Sequence, residues 1–107
     1  MTDDPLQHTA TATAEIAVEP FGDEDIRDEL IVQAIGALDG PDVEVHPGLM
    51  STVVSGSLDA VLHAVQRAHA TAYEVAGRVI TSVRLESRDG GIDLAERARQ
   101  LDQTDAS

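Results

Sequence analysis

The 107-residue chain contains no cysteine, no lysine and no tryptophan, and a single phenylalanine and a single tyrosine supply its aromatic rings. Without cysteine there are no disulfides and no thiolate metal sites. Without aromatics the core must be aliphatic. No apolar run approaches the ~20 residues that span a bilayer. The N-terminus opens on acidic residues, with neither a basic segment nor an apolar one behind it, which argues against secretion. The expectation is a soluble, cytoplasmic protein.

What the chain does have is negative charge. Twenty acidic residues stand against seven basic ones, all arginine, for a net charge of -13. Nucleic acid and anionic membranes are poor partners for such a surface, because binding there is led by Lys and Arg neutralising phosphates. Self-repulsion at this density destabilises a fold in dilute buffer. At ~1 M salt the Debye length is ~3 Å and the repulsion is screened. Acidic, lysine-free and rich in alanine and valine is the composition expected of a cytoplasmic protein from a salt-accumulating halophile. Three of the scarce arginines, Arg78, Arg84 and Arg88, gather in GRVITSVRLESR at positions 77–88.

Length allows one small domain. Residues 1–12 read as a polar disordered tail and 103–107 as another, leaving a domain over 13–102. A domain of that size buries only about 60–65% of its unfolded surface. A core this small and nearly free of aromatics is often completed by a partner subunit, so a homo-oligomer, dimer or tetramer, is expected.

Hydrophobic periodicity supplies the elements. TAEIAVEP (13–20) alternates, with Ile16 and Val18 on one side and Glu15 and Glu19 on the other. A helix follows, carrying Ile26, Leu30, Ile31, Ala34, Ala37 and Leu38, and Gly40-Pro41 ends it. DVEVHPG and LMSTVVSG read as two short strands around a Pro47-Gly48 turn. SLDAVLHAVQRAHATAYEVAG is the clearest helix, with Leu58, Val61, Leu62, Val65, Ala68, Ala72, Val75 and Ala76 on an apolar stripe, Ser57 as N-cap and Gly77 as C-cap. RVITSVRLES is a fourth strand. A turn at Asp89-Gly90-Gly91 and a last amphipathic helix over about 92–101 close the series. The order β-α-β-β-α-β suggests an α+β, ferredoxin-like sandwich: an antiparallel sheet of order 4-1-3-2, both long helices on one face.

In that topology Val79, Val83 and Leu85 point toward the helices. Arg78, Ile80, Ser82, Arg84 and Glu86 point to the open face. Antiparallel pairing with the first strand sets Glu19 near Arg78 and Glu15 near Arg84, and cross-strand charge pairs of this kind contribute roughly 0.2–1 kcal/mol each. Local charge balance is therefore one account of the arginine stripe.

Three stretches, AEIAVEPFG (14–22), MSTVVSGSLDAVLHAVQRAH (50–69) and GRVITSVRLESR (77–88), together resemble the small thiamine-binding, YkoF-like proteins of ferredoxin fold. The resemblance spans about residues 13–100. It implies a non-enzymatic binding protein for thiamine or its hydroxymethylpyrimidine part, needing no cofactor and assembled through its sheets. Matched residue by residue, it implicates Glu15, Ser51, Thr52, His69, Arg78, Thr81 and Arg88. The chain departs from the family pattern in having Ser51-Thr52 where Gly-Thr is common, and Ser55 where an acid is expected before the glycine that ends the third strand.

The residues themselves leave alternatives open. His69 on an apolar helix face suits either a hydrogen-bonded core histidine or a pocket wall. Ser51, Thr52 and Ser55 suit ordinary sheet hydrogen bonding or the donors and acceptors that an aminopyrimidine needs. His46 and His63 have no His partner at i,i+4, so a zinc pair is not expected. The cluster Glu19, Asp23, Glu24, Asp25, Asp28 and Glu29 lacks the spacing of a calcium loop and reads as helix capping and solvated surface. No nucleophile elbow, phosphate loop or other catalytic set is present. An ACT-like regulatory module that binds amino acids shares the fold, as does a small heme- or quinone-handling monooxygenase, though the latter needs aromatic walls. A purely structural assembly role is a further reading.

Overall fold

The computed structural model describes residues 9–48 and 50–93. Its elements are β1 (Thr9–Pro20), α1 (Glu24–Ala37), β2 (Val43–Pro47), β3 (Thr52–Gly56), α2 (Leu58–Ala76) and β4 (Val79–Asp93). The four strands form one antiparallel sheet in the order β2-β3-β1-β4, the ferredoxin-like arrangement expected from the element order. β1 is central because it is the most regularly alternating strand: Ala12, Ala14, Ile16 and Val18 are all buried against the helices.

The core is built from small aliphatics. Ala64, Ala68 and Ala72 of α2 recur every fourth residue with Val61, one turn apart, and pack with Ala12, Ala14, Ile16 and Val54 of the sheet and Ala34 and Leu38 of the α1 side. The buried stripe of α2 is thus narrower than the periodicity suggests. Leu58, Leu62 and Val75 are exposed, and Ala64 takes the central place. Each fully buried Val or Leu still contributes roughly 1.5–3 kcal/mol. Arg67 ties the two helices, donating from Nε to the Ala37 carbonyl (3.1 Å) and from a terminal nitrogen to that of Leu38 (3.2 Å). These are the last carbonyls of α1, which have no partner within the helix.

The caps of α2 are as expected. Ser57 Oγ accepts from the Ala60 amide, and Gly77 turns left-handed at φ 73° to end the helix. At α1 the expectation fails in part. Asp23 holds the N-cap position but its carboxylate accepts no capping hydrogen bond, so Glu24 and Asp25 favour the helix start only through the dipole.

Two boundaries differ from the sequence reading. β1 starts at Thr9, so residues 9–12 are strand and not tail. β4 continues through Gly90 and Gly91 to Asp93, where a turn and the start of a helix were expected. The reason is mutual: the two extensions pair with each other, Thr9 with Asp93 and Ala10 with Ile92, after a register shift between Ala10 and Ala12. An irregularity of this kind absorbs a glycine-rich stretch without ending the strand. The rest of the expected last helix, and most of both tails, lies outside the described residues.

Candidate ligand-binding site

The side chains that the sequence singles out fall on two opposite faces of the sheet. Pairing decides which. Thr52 lies opposite Ile16 and Thr81 opposite Val18, so both point to the helices. Thr81 is met there by His69 of α2, whose Nδ1 lies 2.7 Å from Thr81 Oγ1, and the His69 ring stacks on Tyr73 at 6.4 Å between centroids. The partner of this half-buried histidine is a hydroxyl, in place of the backbone or carboxylate expected for a core histidine. Val83 and Leu85 share that helix-side face but remain 41% and 43% exposed, because β4 is the edge strand and α2 does not reach across it.

The open face carries Glu15, Ala17 and Thr13 from β1, Ser55 and Val53 from β3, Glu44 and His46 from β2, and Ser82, Arg84 and Glu86 from β4. These align in rows across the strands. One row runs His46, Val53, Glu15, Arg84, and the next runs Glu44, Ser55, Thr13, Glu86. Ser51, just before β3, donates to Glu15 Oε2 at 3.3 Å. Glu15, Ala17, Ser51, Ser82 and Arg84 surround a shallow depression of about 280 Å³.

The expected charge pairs do not form. Glu15 and Arg84 are in register without an ion pair, and Glu19 lies opposite Ile80. Arg78 stacks its guanidinium over Phe21, 4.2 Å from the ring centroid, while Phe21 donates its amide to the Arg78 carbonyl. Arg88 pairs with Glu86 at 3.6 Å, two residues away on its own strand. Of the expected site residues, then, Glu15, Ser51 and Ser55 share the open face, His69 and Thr81 meet on the other, and Arg78 and Arg88 are engaged locally.

Ser82 was expected on the open face, whereas Thr13 and Glu44, which share that face, were not singled out by the sequence. Thr13 sits in the run TATATA, whose three threonines all share Glu15's parity, so nothing in the sequence marks one above another. A second depression of about 340 Å³, between the end of α1 and the start of α2, is lined by Asp39, Asp42, His63 and Arg67. Its arginine is committed to the helix carbonyls. Among the described residues no group of three or more His, Asp or Glu is placed to hold a metal, and no helix is long and apolar enough to cross a membrane.

The sequence profile of the thiamine-binding protein family matches residues 14–102. A UPF0045 protein of Methanocaldococcus jannaschii is 30% identical over 84 residues, which is 78% of this chain and 84% of that protein. A crystal structure of a protein from the same organism superposes with a TM-score of 0.72 at 28% identity, over 84% of this chain and 93% of that one. A Bacillus cereus domain of unknown function gives 0.72 at 26% identity, covering 85% and 88%. A candidate thiamine biosynthesis or salvage protein of Thermotoga maritima, at 21% identity, shares the fold with a TM-score of 0.73 over 84% and 97%. The profile match, over residues 14–102, covers most of the chain. The chain is a member of the thiamine-binding protein family.

Proposed function

We propose that the protein binds thiamine or a related hydroxymethylpyrimidine compound without transforming it, as a homo-oligomer associated through its sheets in a salt-rich cytoplasm. The observation that carries this reading is the open sheet face. Glu15, Ser51, Ser82 and Arg84 bring a carboxylate, two hydroxyls and a guanidinium free of ion pairs around one depression. An aminopyrimidine offers donors and acceptors side by side, which such a set can meet from both directions. The depression is too shallow to enclose a ligand alone, and a second sheet laid over it supplies the missing wall. His69 and Thr81, on the other face, hold α2 to β4 and so steady the strand that presents Arg84. Calorimetry with thiamine and with 4-amino-5-hydroxymethyl-2-methylpyrimidine in molar KCl tests the reading. Heat and a raised melting temperature are expected from at least one of the two. Silence from both at millimolar concentration overturns it.

A further inference from the structure

The sheet ends in two edges of opposite character. β2 is five residues long and closes on Pro47, the short, proline-ended form in which native sheets blunt an edge. β4 is fifteen residues long and contains no proline, and among the described residues no strand pairs with its outer side. From Ser82 to Asp89 every residue but Glu86 is exposed, on both faces of the strand. The exposure is also apolar. Val83 and Leu85 on the helix side are joined by exposed Leu58 and Leu62, which lie on the face of α2 that carries His69 toward Thr81. A long edge of this kind is a template for another strand.

Charge identifies the other strand. A chain of net charge -13 is repelled by a second copy over most of its surface. Positions 78–88 are the exception, with three of the seven arginines against a single glutamate. Joining two β4 edges about a two-fold axis normal to the sheet keeps all the helices on one side. Residues that face each other then share a parity, and the axis passes through one residue of β4. An axis at Arg84 sets arginine against arginine. One at Glu86 sets glutamate against glutamate and Arg84 against Arg88. One at Val83 leaves Arg84 facing Ser82 and Glu86 facing Ile80, and one at Ser87 sets Leu85 against Asp89. Of the five, only an axis at Leu85 sets Arg84 against Glu86, twice, and joins the two Leu85 side chains with a Val83 on either flank.

We propose that the outer edge of β4 docks a second copy of this chain, antiparallel and centred on Leu85, so that two four-stranded sheets become one continuous sheet. The apolar rim of Val83, Leu85, Leu58 and Leu62 meets its own copy on the helix side, and the Arg84–Glu86 pairs flank the axis on the open face. Glu86, which Arg88 of its own chain meets at 3.6 Å, is then bracketed by two arginines. The second copy also adds to the depression: its Arg88 comes opposite Ser82, and its Glu86 holds Arg84, which has no ion pair within the chain. Edge docking leaves the open face free for the face-to-face contact. The inference rests on the reading of the chain as a sheet-associated oligomer and not on the identity of its ligand.

The chain has no cysteine, so single cysteines report the register directly. Opposite residues of an antiparallel pair have Cα atoms about 4.5–5.5 Å apart, within reach of a disulfide. Val83 and its own copy lie four positions apart along the seam, about 13 Å, and out of reach. Each full-length variant is oxidised with diamide in molar KCl and run on a non-reducing gel, with sedimentation of the parent alongside. Leu85→Cys should convert almost wholly to a covalent dimer. Val83→Cys and Ser87→Cys should each stay single alone and crosslink when mixed. Arg84→Glu should weaken association about tenfold or more, and Arg84→Glu with Glu86→Arg should restore it, circular dichroism confirming that both are folded. A double variant no better than Arg84→Glu, or crosslinking of Val83→Cys alone, overturns the register. If no cysteine crosslinks while the parent sediments as an oligomer, the edge is overturned and the face-to-face reading stands. A monomeric parent without crosslinks overturns both. Crosslinking through Leu85→Cys in a protein silent to thiamine and the aminopyrimidine upholds the edge and removes the ligand.

Discussion

Glu15 and Arg84 are direct cross-strand partners on β1 and β4, and they make no ion pair. The carboxylate is held by Ser51 instead, on the opposite flank. An exposed pair of this kind is worth about 0.2–1 kcal/mol at best, little enough for a hydroxyl contact to compete. The result is a guanidinium that remains available on the open face. The arginine stripe is therefore not balanced by the expected cross-strand pairs: Arg78 serves a ring, Arg88 pairs with Glu86 on its own strand, and Arg84 is exposed.

Replacing Arg84 by alanine should leave the fold almost untouched, within about 0.5 kcal/mol, because the side chain packs against no core residue. Assembly or the thiamine response should suffer instead. Sedimentation and calorimetry of the variant, compared with urea unfolding, separate the two. Unchanged sedimentation together with an unchanged ligand response would count against a role for this face.

The contact between His69 and Thr81 ties α2 to the edge strand β4, where Val83 and Leu85 remain exposed. Thr81→Val should cost about 1 kcal/mol by removing that hydrogen bond while keeping the shape. A double-mutant cycle with His69→Phe should show coupling of about 0.5 kcal/mol or more. Strictly additive losses would mean that the two side chains are neighbours without an energetic link.

Gly77 closes α2 at φ 73°, and a side chain added there would meet nothing within 4 Å. The cost of Gly77→Ala is therefore conformational alone, about 1 kcal/mol, and asparagine should be tolerated better than alanine. Thermal melts of the two variants check the order. Equal melting temperatures would contradict it.

Net charge of -13 predicts a strong salt response. Raising KCl from about 0.1 M to about 1 M shortens the Debye length from ~10 Å to ~3 Å and should raise the melting temperature steeply. The rise should flatten once repulsion is screened. A melting temperature indifferent to KCl over this range would show that the acidic surface is not adapted to salt.

The sheet order was legible because alternation in β1 and β4 is regular, and parity alone separates Ile16 and Val83 from Glu15 and Arg84. The strand ends were not. Asp89-Gly90-Gly91 carries a turn signal that pairing with residues 9 and 10 overrides, and neither segment betrays the other in isolation. For the sheet face that a side chain occupies, parity is the guide and membership of a motif is not. Thr52 and Thr81 stand in matched stretches with Ser51 and Arg78, yet parity alone already sends them to the helix side. The row through Glu44, Ser55 and Thr13 depends on the relative registers of three strands, which no single segment contains.

One feature of the core bears on how recognition can work. Alanines dominate the seam where α2 backs β1: Ala64, Ala68 and Ala72 share one buried cluster with Ala12 and Ala14, beside Val61, Ile16 and Val18. Alanine has no side-chain torsion to adjust, so this seam cannot repack around a displaced backbone as longer side chains could. The central strands are backed by a stiff plate. On the proposed reading, any adjustment to a ligand on the open face falls to the long, jointed side chains beside the plate, Glu15 and Arg84, swinging over an anvil that does not yield.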